Sequence, residues 1–256
     1  MSSCHDGHRQ RVRDKFAKYG GDIFEDHEIL EQVLFFTIPR GDTNEIAHAL
    51  IDRFGSLRGV LDAGIHEISG VKGMGDKSAY FLKVISSLFA RISIENVDKR
   101  ERFTSYRQVA KYLGDIYIGT SVEEVYLLAF NNSMRLLGTE KIAEGNLNTV
   151  SLHMSDVVNC ANKYNPAYVM LSHNHPGGLA IPSSNDIEFT TNIRHLFSMI
   201  NIKLIEHFIV ADGKCVPIIH GGAGDPRRAC DETINRIALN APEITIDETS
   251  DMTFEI

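Results

Sequence analysis

The sequence predicts an all-α N-terminal domain followed by an α/β domain with a central mixed sheet. Over residues 1–95, apolar residues recur at helical spacing, and glycine or proline separates the periodic stretches. From residue 105 onward, short runs of branched and aromatic residues alternate with helical periodicity, as in proteins whose helices pack on a sheet. We therefore divide the chain into a helical domain (1–95), a charged linker (96–104), an α/β domain (105–224) and an acidic C-terminal extension (225–256).

Composition and charge favour a folded protein. A chain of 256 residues with 43% hydrophobic residues is long enough to bury one or two substantial cores. No apolar run reaches the roughly 18 residues of a membrane helix, and no secretory signal is recognisable, so we expect a cytoplasmic protein without membrane contact. Four scattered cysteines give no disulfide framework. The net charge of −8 comes largely from residues 225–256, which carry 3 basic and 8 acidic residues.

The N-terminal domain contains several segments of helical periodicity. Residues 8–19 form a basic amphipathic helix in which Val12, Phe16 and Tyr19 share one stripe. Its basic face suits either solvent or DNA, and the sequence leaves both readings open. Further helices are predicted over residues 25–36, 44–54 and 79–92.

Residues 68–79 join two apolar helices through a turn that contains Gly73 and Gly75. A Gly-x-Gly turn permits a tight reversal and directs the free amides of the second helix toward solvent, where a phosphate oxygen can accept from them. This segment resembles the helix-hairpin-helix motif, which binds the DNA backbone without reading its sequence. Lys72 and Lys77 flank the turn, where they would add phosphate contacts. The alternative is a helical hairpin that serves only packing or protein contacts.

The α/β domain is predicted to begin with a helix that is capped by Thr104 or Ser105. Strands then alternate with helices along the chain. The strands are predicted over residues 125–130, 136–142, 168–171 and 202–210, and the helices over 155–163 and 186–200. This order predicts a mixed sheet with helices packed against it.

Two histidines at the end of a predicted strand indicate a metal site. His173 and His175 are two positions apart, so both imidazoles lie on the same face of the strand. Asp186 follows in the first turn of the next helix. Two imidazoles and a carboxylate leave a fourth tetrahedral position for water, as in catalytic zinc sites. The Ser183-x-x-Asp186 pattern also has a second explanation, because the same spacing forms a capping box at a helix start.

The combined pattern of His-x-His, a Pro-Gly-Gly loop and Ser-x-x-Asp resembles the signature of JAMM metalloproteases, which have JAB1-type or MPN-plus domains. The resemblance implies a JAB1/MPN-like domain with a cytidine-deaminase-like sandwich. It implies one zinc ion (Zn2+) per chain, held by His173, His175 and Asp186. It also implies that Ser183 helps to stabilise the oxyanion.

The same family uses a glutamate that immediately precedes an apolar strand as the general base. Glu124 is adjacent to the strand at 125–130 and is the preferred match, with Glu123 as the fallback. Glu140 and Glu144, on and just after the returning hairpin strand, fit this description less well.

Further motifs narrow the resemblance to the bacterial RadC family, over most of residues 8–220. They are residues 26–31, 38–44, 53–57, 72–75, 173–176 and 207–210. The family pairs an N-terminal helix-hairpin-helix region with a C-terminal JAB-type domain and carries a DNA-repair name.

The resemblance implies a zinc-dependent hydrolase with metallopeptidase or isopeptidase chemistry on a peptide or protein substrate. It also implies contact with the DNA backbone through residues 68–79. Two alternatives stay open: a DNA-associated interaction protein without hydrolytic activity, and a zinc-dependent nuclease. The nuclease is the less favoured, because phosphodiester hydrolysis often uses two metal ions and the sequence shows ligands for one.

Overall fold

A computed structural model describes residues 4–95, 102–145 and 154–240. Its helices are α1 (Cys4–Tyr19), α2 (Asp26–Leu34), α3 (Thr43–Phe54), α4 (Leu57–Asp62), α5 (Ile65–Ser69), α6 (Asp76–Glu95), α7 (Tyr106–Ile116), α8 (Met154–Asn162), α9 (Ser184–Met199) and α10 (Pro226–Leu239). Its strands are β1 (Glu124–Phe130), β2 (Leu136–Glu144), β3 (Tyr168–Asn174), β4 (Lys203–Ala211) and β5 (Lys214–Pro217). The predicted order, a helical region before an α/β region, is confirmed. Most of the predicted linker lies outside the described residues, so its position stays a prediction.

The helical region encloses one apolar core, to which helices α2 to α6 contribute. Leu30, Leu34, Leu50, Val60 and Leu82 are buried in this core. Where the sequence predicts one apolar helix before residue 68, the structure has two short ones, α4 and α5, whose 6 and 5 residues are too few to display separate helical periods. Among the described residues, no helix is both long enough and apolar enough to cross a membrane.

The turn between α5 and α6 has the tight geometry that the two glycines predict. Gly73 has a φ of +91°, and a Cβ at this position would lie 2.7 Å from the Cδ1 atom of Ile46. Glycine is therefore required for both the backbone conformation and the close approach. Lys72 and Lys77 are exposed on either side of the turn. DNA binding by this hairpin stays a prediction.

The five strands form one mixed sheet in the order β2-β1-β3-β4-β5. Strand β1 runs antiparallel to both β2 and β3, β3 is parallel to β4, and β5 returns antiparallel to β4. Helix α9 makes the crossover that a parallel pair requires. Its first turn therefore lies just after the carboxyl end of β3, where the two histidines are.

Helices cover both faces of the sheet, so successive residues of a central strand enter different cores. On one face, Leu128 and Phe130 pack with residues of α7 and α10. On the other, Leu127 and Ala129 pack with residues of α8 and α9. This alternation is the period-2 geometry of a strand, and it determines on which face each polar residue at the strand ends lies.

Helix α10 belongs to the C-terminal extension, for which the sequence analysis predicts no helix. Asp225 caps it by accepting from the backbone N–H of Arg228, and Pro226 occupies the first turn. Cys230 and Ile234 are fully buried against the sheet. The extension is thus partly a packed helix, and residues 241–256 lie outside the described part of the chain.

Hydrogen bonds from Lys83 connect the helical region to the α/β region. Its ammonium group donates to the carbonyl oxygens of Leu61, Ala63 and Gly119 over 2.8, 2.9 and 2.6 Å. The backbone N–H of Gly119 donates in turn to Asp62 Oδ1 over 2.6 Å. These bonds join α4 and α6 to the loop after α7 and fix how the two regions face each other.

We expect Lys83→Met to destabilise the protein by about 2 kcal/mol, because it leaves three carbonyl groups without their shared donor. Lys77→Met, an exposed substitution in the same helix, is the control and should change the free energy of unfolding by less than about 0.5 kcal/mol. Urea unfolding of the full chain measures both values. Equal effects of the two substitutions would contradict the role given to Lys83.

Candidate metal centre

Three predicted ligands meet at the carboxyl end of β3. The Nε2 atoms of His173 and His175 are 3.0 Å apart, and Asp186 places Oδ1 at 3.4 Å from the first and Oδ2 at 3.9 Å from the second. In a tetrahedral zinc site with bonds of about 2.0–2.2 Å, ligand atoms lie about 3.3–3.6 Å apart. The three side chains therefore have the chemistry and the spacing to hold a zinc ion.

Ser183 and Asp186 form a capping box at the start of α9, and the same carboxylate also faces the histidines. Asp186 Oδ2 accepts from the backbone N–H and the hydroxyl of Ser183, each over 2.7 Å, and the Asp186 N–H donates to Ser183 Oγ over 3.2 Å. Asp186 Oδ1 is the oxygen nearer to His173. The two readings of the sequence pattern are thus compatible, because the cap holds the carboxylate in place beside the imidazoles.

A backbone carbonyl orients the His175 ring. The Nδ1 atom of His175 lies 2.9 Å from the carbonyl oxygen of Leu179, which can only accept. The proton of the neutral ring is therefore on Nδ1, and the lone pair is on Nε2. A hydrogen bond of this kind, from the far nitrogen of a ligating histidine, is typical of protein metal sites.

A chain of hydrogen bonds behind His173 sets its tautomer as well. The Thr190 hydroxyl donates to the Asp186 carbonyl oxygen over 2.6 Å, so its oxygen accepts from His207 Nδ1, also 2.6 Å away. The neutral His207 ring then has its lone pair on Nε2, which accepts from His173 Nδ1 over 2.9 Å. The lone pair of His173 is consequently on Nε2, the atom that faces His175. We call His173, His207 and Thr190 the relay.

Burial keeps the relay histidines neutral. It lowers the pKa of His173 to about 4, although the neighbouring Asp186 acts in the opposite direction. It also lowers the pKa of the fully buried His207 well below the ordinary value, and His173 adds to this effect. The sequence alone predicts no role for His207 or Thr190, since the pairing of β3 with β4 brings His207 to His173 and the packing of α9 on β4 brings Thr190 to His207.

The structure corrects the choice between the two candidate glutamates. Glu124 is directed away from the histidines: its carboxylate accepts from Lys141 and from the Tyr126 hydroxyl, each over 3.1 Å. The register pairs Val125 with His173, so Glu123 and not Glu124 lies on the histidine face. A carboxylate oxygen of Glu123 and nitrogens of His173 and His175 lie within 4.8 Å of one another. Strand alternation therefore places Glu123, and not the preferred Glu124, beside the histidines, and the role of either residue as general base stays a prediction.

The other two glutamates are held elsewhere. Glu140 accepts from Lys163 and Tyr164, and Glu144 accepts from Lys141. These three contacts lie along the β1–β2 hairpin and at the segment that follows α8.

A second cluster, formed by Glu206, His220 and Cys230, has metal-ligating residue types at close range. Its carboxylate is already saturated, because Glu206 accepts from the backbone N–H groups of His207, Ile219 and His220 and from the His220 ring at 2.6 Å. The Nε2 atom of His220 forms a hydrogen bond of 3.1 Å with the hydroxyl group of Thr233 in α10. These bonds account for the cluster as an anchor between β4, the segment after β5 and the C-terminal helix.

A mixed five-stranded sheet with helices on both faces, bearing a His-x-His and aspartate centre, is consistent with a JAB-like fold. The family model described as the RadC-like JAB domain matches residues 103–222. Among curated proteins, a UPF0758 protein of Fusobacterium nucleatum is 31% identical, over 84% of this chain and 96% of its own. One of Aliivibrio salmonicida is 30% identical over 87% of this chain and 99% of its own. The chain therefore belongs to the RadC family, whose relatives bear the name UPF0758.

We expect Thr190→Val to weaken zinc binding by about tenfold, because loss of a partner behind a metal ligand typically costs ten- to a hundredfold in affinity. The substitution keeps the shape of the side chain but removes the acceptor for His207 Nδ1. Thr190→Ser keeps that acceptor and should bind zinc within about threefold of wild type. Competition against a chromogenic chelator measures both affinities. Equal affinities for the two variants would refute the relay.

Proposed function

We propose that this protein is a zinc-dependent hydrolase that cleaves peptide or isopeptide bonds. The observation that carries the proposal is the convergence of His173, His175 and Asp186 with the carboxylate of Glu123 on one face of the sheet. Three ligands and an adjacent carboxylate are the parts that metal-assisted hydrolysis requires. Membership of a JAB-domain family, in which zinc hydrolases occur, supports the same conclusion.

Each side chain has a defined task in this reaction. His173, His175 and Asp186 would hold the zinc ion, which when bound lowers the pKa of a coordinated water to about 7 and polarises a carbonyl group. Glu123 accepts the proton of the attacking water and returns it to the leaving amine. Ser183 donates to the developing oxyanion, for which its hydroxyl must turn away from Asp186 Oδ2.

Peptide hydrolysis is favoured over phosphodiester hydrolysis by the number of ligands near Glu123. In the described part of the chain, that glutamate adjoins one set of ligands, which suffices for one ion. Enzymes that cleave phosphodiesters commonly use two metal ions about 4 Å apart. A carboxylate beside a single ion matches the arrangement of a metallopeptidase.

We expect Glu123→Gln to lower the hydrolysis rate by about 100- to 10,000-fold while the zinc content stays at one per chain, because only the proton acceptor is lost. Glu124→Gln is the matched control and should leave the rate within about threefold, since its side chain lies on the other face. Zinc-loaded full-length protein and a fluorogenic peptide library provide the assay. An inactive Glu124→Gln with an active Glu123→Gln would reverse the assignment, and zinc-loaded wild type without peptide cleavage would refute the function.

The exposed hairpin favours a second activity, contact with the DNA backbone. Lys72 and Lys77 flank a turn whose amides precede α6, and neither lysine has an ion-pair partner among the described residues. Such contacts would position the protein on DNA without sequence preference.

We expect the double substitution Lys72→Ala/Lys77→Ala to weaken duplex DNA binding and to reduce the slope of log K against log salt by about two, one for each lost phosphate contact. Lys111→Ala/Lys214→Ala removes two exposed lysines from the α/β region and is the charge-matched control. A salt titration of the full chain with a labelled duplex gives both slopes. Absence of wild-type binding at about 50 mM salt would rule out the DNA contact.

A further inference from the structure

A cleft of about 720 Å3 lies between the helical region and the α/β region, beside the metal centre. One wall comes from the helical region and includes Arg58, Asp62 and Glu67. The opposite wall is formed by the loop that follows β3, from His175 to Leu179, and by the β4–β5 turn, residues 210–213. His175, a proposed zinc ligand, also lines the cleft, so the cleft borders the centre where hydrolysis is proposed.

The two walls are held at a fixed separation. Lys83 donates to carbonyl groups of both regions, and Gly119 donates to Asp62, which itself lines the cleft. Gly119 has a φ of +79°, and a Cβ at this position would lie 2.1 Å from the Cβ of Ser86. This close approach leaves no room for a side chain at the junction. The cleft is therefore a preformed feature, which lowers the cost of binding a ligand there.

The charges that line the cleft favour a cationic ligand. Its lining includes three carboxylates, those of Asp62, Glu67 and Asp212, against one guanidinium group, that of Arg58. Arg58 Nε donates to Asp62 Oδ2 over 2.6 Å, so this pair neutralises itself. Glu67 and Asp212 form no ion pair among the described residues, and the Lys83 ammonium at the edge of the cleft interacts with Glu67 only at longer range. With Lys83 counted, the cleft still has three carboxylates against two cations. Their field attracts basic groups and repels phosphates.

The backbone of the opposite wall suits an extended polypeptide. Gly177, Gly178 and Gly213 line the cleft, and Gly177 and Gly213 both have a φ of +66°. Glycines let a second backbone approach closely, so main-chain groups of the wall can pair with those of a bound strand. A folded protein surface would not reach between the walls as readily as an extended segment.

We propose that the helical region supplies half of the substrate site, and that the cleft binds an extended polypeptide segment with basic side chains, which Glu67 and Asp212 select. The proposal rests on the hydrolase function proposed above, because it identifies the cleft as the route to that centre. It gives the helical region a role in substrate recognition that is separate from the DNA contact of the hairpin, none of whose residues 68–79 line the cleft.

Fluorescence anisotropy of metal-free, full-length protein tests the proposal without any hydrolysis. The probes are fluorescein-labelled decapeptides of repeating Gly-Lys or Gly-Glu and a ten-nucleotide oligothymidine, at about 50 mM salt. We expect the Gly-Lys peptide to bind at least tenfold more tightly than the Gly-Glu peptide. Glu67→Gln/Asp212→Asn should weaken Gly-Lys binding by about two- to thirtyfold, since exposed ion pairs are individually weak.

Both substitutions keep the local structure. The side-chain amide oxygen in Glu67→Gln can still accept from the Gly64 N–H, as the Glu67 carboxylate does, and asparagine tolerates the φ of +47° at Asp212. Asp22→Asn/Glu45→Gln alters two exposed residues outside the cleft and controls for net charge. Ser121→Trp fills the cleft from an exposed lining position and should also weaken binding of the Gly-Lys peptide.

Three results would overturn the proposal: equal binding of the two peptides, equal losses in the cleft and control variants, or binding of the oligothymidine that Ser121→Trp weakens as much as it weakens binding of Gly-Lys. The metal-free assay does not depend on the zinc chemistry. A protein that binds basic peptides selectively but cleaves none with zinc would refute the hydrolase function alone. One that cleaves peptides without this selectivity would refute the cleft assignment alone.

Discussion

The pairing register of the three central strands is the constraint on which the rest of the site depends. It places Val125 opposite His173 and Leu171 opposite His207. Because side chains alternate along a strand, this register puts Glu123, His173 and His207 on one face of the sheet. A slip of one residue between β1 and β3 would exchange Glu123 for Glu124 and dismantle the centre. The apolar cores on both faces oppose such a slip, since each accepts only its own set of strand residues.

Helix α9 then completes the centre from the backbone and side chains of its first turns. Its capping box fixes the Asp186 carboxylate, and the carbonyl of the same residue ends the hydrogen-bond chain that begins at His173. Thr190, one turn later, connects that carbonyl to His207. Asp186 therefore has two tasks. Its side chain caps the helix, and its carbonyl oxygen holds the Thr190 hydroxyl that accepts from His207. These hydrogen bonds direct the Nε2 lone pairs of His173 and His175 toward each other in the folded chain.

The helical region is more than an attachment to this centre. Lys83 and Gly119 hold it against the α/β region, so that α4 and the residues after it face the loop that contains His175. The hairpin with Lys72 and Lys77 is not part of that face. The same small domain therefore presents two different surfaces: a cleft wall that carries Glu67 and the Arg58–Asp62 pair, and an exposed turn with two lysines.

Short-range pattern in the amino-acid sequence was enough to predict the order of helices and strands, the His173 and His175 pair, the cap at Ser183 and the resemblance to RadC proteins. Which of Glu123 and Glu124 lies beside the histidines could be seen only in the folded chain, because local sequence rules do not distinguish the two residues and they differ only in strand register. The hydrogen bonds of Thr190 and His207 could not be predicted from the sequence either, since they join β3, α9 and β4, which are separate in the chain. The packed helix α10 and the cleft also required the folded chain, because both arise where separate surfaces meet.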